Sequence, residues 1–145
     1  MNAVETGLFS KLNGDNGAGG VKTLSTGGIY HINPNQKAGF PKTVFGQYTP
    51  DIPVYTMGLK AYDHLEYYVT PYAVDTATTA GVDVTALISE RAEALLTDGA
   101  ITAEGKTVLY FRMSRRMPPL PNFDSDKGIW VYSRPTIFEA YVANA

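Results

Sequence analysis

The chain has no cysteine. A disulfide-stapled scaffold, a thiolate zinc centre and a cysteine nucleophile are excluded together. Histidine is scarce as well. His31 and His64 are far apart in the chain, and neither has carboxylates at zinc-ligand spacing. Asp63 beside His64 is an adjacent turn position, and Glu66 only shares its strand face. Both histidines read as surface or strand-edge residues, and no metal or other cofactor is expected. No serine stands in a Gly-x-Ser-x-Gly elbow, so nothing nominates a catalytic residue. Charged residues make up 18% of the chain and the net charge is −2, without the broad basic surplus of a dedicated nucleic-acid binder. No apolar run approaches the ~20 residues of a membrane-spanning helix, and no basic, apolar and small-residue signal opens the chain. The expectation is a protein without a membrane partner, made and kept in the cytosol unless an assembly carries it out.

What is present is a chain of 145 residues, enough for one domain with a real core and too few for two; 1–145 is read as a single unit. Ten tyrosines and six phenylalanines make it aromatic-rich. Such residues suit β-strands, and they are also enriched where protein meets protein. The clearest element is a helix from Asp83 to Asp98, roughly 24 Å long at ~1.5 Å per residue. Val84, Leu87, Ile88, Ala92, Leu95 and Leu96 form its apolar stripe. Thr85, Ser89, Glu90, Glu93 and Thr97 fall mostly on the other side. Asp83 can cap its start, with Thr79 as the rival, and Asp98-Gly99 supplies a left-handed stop.

The remaining elements follow from alternation and breakers. Ala3 to Asn13 reads as a short helix with Val4, Leu8, Phe9 and Leu12 on one stripe, stopped by Asn13-Gly14. Gly14 to Gly20 is a flexible loop by composition. It falls short of a phosphate loop, because Val21 separates Gly20 from Lys22 and no strand precedes it. Gly28–Ile32 and Thr43–Tyr48 are strands. Thr49 to Pro53 is a break, and a hairpin starts near Thr56–Leu59 and closes by Asp63. Leu65–Val74 is a long strand in which Leu65, Tyr67 and Val69 alternate with Glu66, Tyr68 and Thr70; Pro71 implies an edge or a bulge. Ile101–Glu104 is a candidate short strand. In Thr107–Met117, Leu109, Phe111 and Met113 are expected to face the helix, with Tyr110, Arg112 and Ser114 facing away. Pro118–Pro121 breaks that strand and, with the polar run to Lys127, forms a polyproline-like bridge. Gly128–Arg134 and Thr136–Val142 are closing strands joined across Pro135. The fold class is α+β: a mostly antiparallel sheet with one long helix packed on one face and a short N-terminal helix. The order of the strands is left open.

One charge cluster stands out, Arg112-Met-Ser-Arg115-Arg116. Period-two geometry puts Arg112 and Arg116 on one face and Arg115 on the other. Arginine's planar fork suits interfacial carboxylates, while solvated charge and phosphate contact are the competing readings. Three segments (14–20, 52–63 and 118–127) are too polar, glycine-rich or proline-rich to help a core. They carry Gly, Pro, Tyr and Asn, a composition that suits contact with other chains better than chemistry.

The order of these elements resembles the tail-terminator (tail-completion) proteins of long-tailed bacteriophages. It runs through the helix with Leu8 and Leu12, Gly28-Ile-Tyr-His-Ile-Asn-Pro34, and Phe40-Pro41-x-x-Val44-Phe45-Gly46. Leu65-Glu-Tyr-Tyr-Val69 follows, then the helix with Leu87-Ile88 and Ala94-Leu95-Leu96, and the closing strands with Arg112 and Ile137–Val142. It spans nearly the whole chain, departing at Pro118–Pro121 and in the longer glycine-rich loop. The resemblance implies a non-enzymatic virion protein at the head-proximal end of the tail, assembled in the host cytoplasm. Such a protein forms a ring, commonly hexameric, that caps the tail tube, ends tube polymerisation and joins the tail to the head connector. The partners implied are further copies of the chain, the tail tube protein and a head connector or stopper protein, with nucleic acid at most passing through the lumen. Tyr110, Arg112, Arg115 and Arg116 are the expected interface residues, and Arg115→Glu with Arg116→Glu is expected to block assembly while leaving the monomer folded. The alternatives are a head–tail connector stopper or tail tube subunit and, in another class, a small ligand-binding module or enzyme.

Overall fold

The long alternating strand of the sequence becomes the spine of the molecule. The computed structural model describes residues 1–34, 37–97 and 99–144. The helices are α1 (Ala3–Asn13), α2 (Val21–Leu24) and α3 (Gly81–Leu96). The strands are β1 (Ile29–His31), β2 (Lys42–Gln47), β3 (Ile52–Thr56), β4 (Leu59–Val74), β5 (Lys106–Arg116), β6 (Leu120–Asp124), β7 (Ile129–Ser133) and β8 (Thr136–Asn144). All eight strands form one sheet. β4 is long enough to have two neighbours on one side in succession, β8 along Asp63–Val69 and then β7 along Tyr72–Val74. β2 and β3 likewise divide its other side. Every pairing is antiparallel except β1 with β2, so the mixed α+β architecture with a mostly antiparallel sheet holds. β5 lies not beside β4 but beyond β8, which is inserted between them.

Both longer helices cover the same face. Leu65, Tyr67 and Val69 of β4, Phe45 of β2, Phe111 of β5 and Phe138, Ala140 and Val142 of β8 pack with Leu8 and Leu12 of α1 and Ile88, Ala92 and Leu96 of α3. Each fully buried Phe or Leu contributes about 1.5–3 kcal/mol. The aromatic members stack: Tyr67 with Phe111 at 5.9 Å and Phe111 with Phe138 at 5.5 Å.

Several expectations are corrected. α3 is rotated from the predicted stripe: Thr85 and Ser89 are buried beside Ile88, Ala92 and Leu96, while Leu87 is exposed. Buried polar partners make this tolerable. Ser89 Oγ lies 2.6 Å from Thr136 Oγ1, and Thr85 donates to the Val82 carbonyl at 2.8 Å. The helix starts earlier than Asp83. Its N-cap is Ala80 without a side-chain cap, and the Asp75 carboxylate accepts from Gly81 N–H at 2.8 Å, so neither Asp83 nor Thr79 caps it. It ends at Leu96 with Thr97 extended; Gly99 is not among the positive-φ glycines, and Asp98 lies outside the described residues. α1 keeps its predicted bounds and adds a capping box between Asn2 and Glu5.

Pro71 sits in the middle of the sheet rather than at an edge. It pairs with Thr43 of β2, and across from it β8 gives way to β7 at the Arg134–Pro135 link. No ladder donor is demanded there, and the Pro71 carbonyl accepts from Arg134 N–H at 3.3 Å. The bridge read at Pro118–Lys127 instead contains strand β6, a sheet edge carrying Pro121, which forms a hairpin with β7. Ile101–Glu104 makes only an isolated bridge, Ala103 to Lys106. In β5 a register shift between Val108 and Tyr110 leaves Leu109 exposed and turns Val108 onto the core. The glycine-rich loop is tied down: Asp15 accepts from Val21 N–H at 2.8 Å and from Arg91 at 2.7 and 2.9 Å.

Candidate functional site

With α1 and α3 on one face, the opposite face of the sheet has no helix over it among the described residues, and strand register decides what it presents. Side chains alternate, so the even residues of β4 from Tyr62 to Tyr72 point to this open side. Pairing lines them up in rows. Tyr110, Tyr141 and His64 form one row across β5, β8 and β4, with Ile52 of β3 at its end. Arg112, Glu139 and Glu66 form the next, and Arg115, Ile137 and Tyr68 the third, with Gly46 of β2 beyond.

The rows interlock as an aromatic and charged sheet surface. Tyr141 is the hub, with ring centroids 5.1 Å from Tyr62, 5.0 Å from His64 and 5.0 Å from Tyr110. Such pairs are worth about 0.5–1.5 kcal/mol beyond their buried area. Arg112 lies 4.7 Å from the Tyr110 ring and Arg115 5.5 Å from the Tyr48 ring. The Tyr110 hydroxyl donates to Glu139 at 3.3 Å, His64 Nε2 is 3.4 Å from Glu139, and Arg115 is 3.5 Å from Glu66. Partial burial, then the Glu139 carboxylate and the neighbouring phenols, push the Tyr141 phenol above its ordinary pKa.

Val44, Thr70 and Ile137 are buried although they stand on this helix-free side, and Tyr68 stands opposite Ile137 in the register. The Tyr68 ring lies so close over Gly46 that a Cβ there would meet the hydroxyl oxygen at 2.8 Å. The Tyr68 phenol thus lies along the sheet with its tip against β2.

The predicted cluster is split differently from the period-two reading. A register shift between Met113 and Arg115 places Arg115 opposite Ile137 and Arg116 opposite Thr136. Arg112 and Arg115 therefore share the open face with Tyr110, and Arg116 turns to the helix side. There its guanidinium donates to Ser89 Oγ at 2.7 Å, to the Ser89 carbonyl at 3.2 Å and to Glu93 at 2.7 Å. Arg116 fastens β5 to α3. Sequence reasoning did not assemble Tyr62, His64, Glu139 and Tyr141 into a site. Their alternation was visible, but the adjacency of β4, β8 and β5 was not.

His31, at the β1 edge, is hydrogen-bonded to the buried Glu5 of α1. Among the described residues no three His, Asp or Glu side chains are grouped to hold a metal ion. Two hairpins carry exposed apolar side chains: β3–β4 at its tip, and β6–β7 with Phe123 and Trp130 paired at 5.2 Å.

No protein-family model matches the chain, and no curated protein matches it. Among solved structures it is similar to a chain of the structure described as "Virion of native gene transfer agent (GTA) particle", with a TM-score of 0.71 and 12% sequence identity. The match covers 97% of this chain and 94% of that one. At that identity the likeness is one of fold: the eight-stranded sheet with its helices on one face is an architecture also found in a chain of that virion.

Proposed function

We propose that this protein is a structural component of a virion, acting without catalysis, and that it closes the head-proximal end of a tail tube as a ring of identical copies. The observation that carries this reading is the end-to-end agreement of fold with a chain of a virion particle. The tail-terminator resemblance, drawn from the order of elements in the sequence, supports the finer role. The open face with Tyr110, Arg112 and Arg115, and the apolar hairpins, supply surfaces suited to self-association and to contact with a tube below and a connector above. Ring closure uses heterologous contacts, one patch meeting a different patch on the next copy. In this role the protein ends tube polymerisation and presents a surface to the head connector or stopper.

The test is mass in solution and electron microscopy, alone and with tail tubes. The expected outcome is a closed ring at one tube end and tubes of defined length; without the protein, tubes overgrow. Filament growth by the purified protein would assign it to the tube subunit instead. A 15.7 kDa monomer that ignores tube ends would remove the terminator reading.

A further inference from the structure

Where β2 and β7 flank the C-terminal end of β4, two ammonium groups converge on one aromatic ring. Lys42 Nζ lies over the Phe40 ring at 4.5 Å from its centroid, and Lys127 Nζ, from the β6–β7 turn, lies over the same ring at 5.9 Å. Strand register brings them together. Lys42 stands opposite Tyr72 and so shares the open side of the sheet, and the β6–β7 hairpin arrives there because β7 pairs with Tyr72–Val74. Neither ammonium is ion-paired with a carboxylate of any described residue. Like charges held close repel, and a cation over an exposed ring regains only about 0.5–1 kcal/mol. Burial, and then the Lys127 charge, hold Lys42 below its ordinary pKa of 10.5.

The pair stands at a groove of 460 Å³ whose wall includes Phe40, Lys42, Tyr72, Asn122, Ser125 and Val131. Its volume is within the ~300–1,000 Å³ of ligand sites, and its wall mixes aromatic and aliphatic surface with a few polar groups. One carboxylate, Asp124, is also in the wall. Its Oδ1 accepts from the Asp126 and Lys127 N–H groups at 3.1 and 3.3 Å, so it shapes the turn that carries Lys127. The charge that shifts Lys42 is that of Lys127. β6 ends its path through the sheet and pairs with β7 alone, which leaves room for an extended segment beside the groove. Pro121 takes one donor from that edge, so side-chain chemistry must supply the recognition. We infer that this groove takes an acidic side chain from an extended segment of another protein chain, its carboxylate held by Lys42 and Lys127 and its apolar neighbours on Tyr72 and Val131. One carboxylate can accept from both ammonium groups, and such charge-assisted bonds are about twice as strong as neutral ones. A nucleic-acid strand fits less well, because successive phosphates would meet Asp124 and Asp126. The inference goes beyond the ring reading and stands without it.

The test is a nuclear magnetic resonance titration of the unassembled, isotope-labelled full chain, whose outcome does not depend on whether rings form. The probe is a short blocked peptide with Glu at its centre and Val on either side. A twin with Gln in place of Glu and an oligothymidylate are run beside it. The acidic peptide is expected to shift the Phe40, Lys42 and Lys127 signals at millimolar concentration, and the Gln twin to bind about tenfold more weakly. Lys42→Gln with Lys127→Gln weakens peptide binding by the same factor. Lys22→Gln with Lys60→Gln removes equal charge elsewhere and leaves binding unchanged. Lys127→Gln alone, a change at an exposed turn position outside β2, costs about threefold and serves if the double variant melts early. Equal shifts by the Glu and Gln peptides, no shifts in the groove, or undiminished binding by the lysine variants would each overturn the inference. An oligothymidylate that occupies the groove more tightly than the peptide overturns it in favour of a phosphate ligand.

Discussion

Replacing Ser89 by alanine separates the predicted orientation of α3 from the observed one. If Ser89 lay on the solvated side, as the apolar stripe implies, the change would alter stability by no more than ~0.5 kcal/mol. In the structure Ser89 is buried and its Oγ serves two partners, Thr136 Oγ1 at 2.6 Å and Arg116 Nε at 2.7 Å. Alanine leaves the Thr136 hydroxyl, itself fully buried, with only a 3.5 Å contact to the Arg134 carbonyl, and takes one acceptor from the guanidinium. Orphaning a buried hydroxyl costs about 1–3 kcal/mol. We expect a loss of about 2 kcal/mol, or roughly 4–8 °C in Tm at the ~2–4 °C per kcal/mol typical of this chain length. The assay is urea unfolding of the unassembled chain followed by far-ultraviolet circular dichroism, with an unchanged m value confirming that only stability moved. Glu90→Ala, on the exposed side, is the internal control and stays within ~0.5 kcal/mol. Ser89→Ala with Thr136→Val costs less than the sum of the two single changes, because both polar partners leave together. A Ser89→Ala variant as stable as the Glu90→Ala control would refute the rotated packing of α3.

Three further outcomes follow from the same structure. Gly7→Ala drives a Cβ to 2.1 Å from the Thr102 carbonyl oxygen, so α1 must shift, at about 1–3 kcal/mol; Gly17→Ala, with nothing within 4 Å, shows no such steric loss when the two are melted side by side. The Arg91 hydrogen bond, as the largest cause, holds the Asp15 carboxyl below its ordinary value of 3.8. A folded-state pKa below the unfolded one means stability present above pH 3.8 and lost as pH falls through the lower folded value. Asp15→Asn flattens that acid limb of the stability profile, and an unchanged limb would remove the loop anchor. Arg112→Lys with Arg115→Lys keeps positive charge facing Glu139 and Glu66, leaves the face folded within about 1 kcal/mol, and weakens assembly on tube ends by removing the planar fork, read by sedimentation. Arg116→Glu instead sets a carboxylate against Glu93 and Ser89 and destabilises the monomer by about 2 kcal/mol or more in urea. The earlier expectation that Arg115→Glu with Arg116→Glu spares the fold is thereby revised.

Local periodicity determined a good deal by itself. It located the α1 bounds, the existence of α3 and the strands β2, β4, β5, β7 and β8, because each depends on neighbours within a few residues. The alternation of Leu65, Tyr67 and Val69 against Glu66, Tyr68 and Thr70 divided β4 into a core side and an open side before any partner was known. Tertiary structure alone decided the rest. Pro71 is central because two different strands meet opposite it, and Ser89 is buried because Thr136 and Arg116 arrive from β8 and β5 to satisfy it. The arginine cluster was legible as a cluster, but one residue out of register in β5 sends Arg116 to the helix and leaves Arg115 with Arg112. A strand's side chains change face with every single-residue slip, and a slip is set by the partner strand. The open surface of Tyr62, His64, Tyr110, Glu139 and Tyr141 therefore exists only once β8 has inserted between β4 and β5, a pairing between segments too distant in the chain for local pattern to reveal.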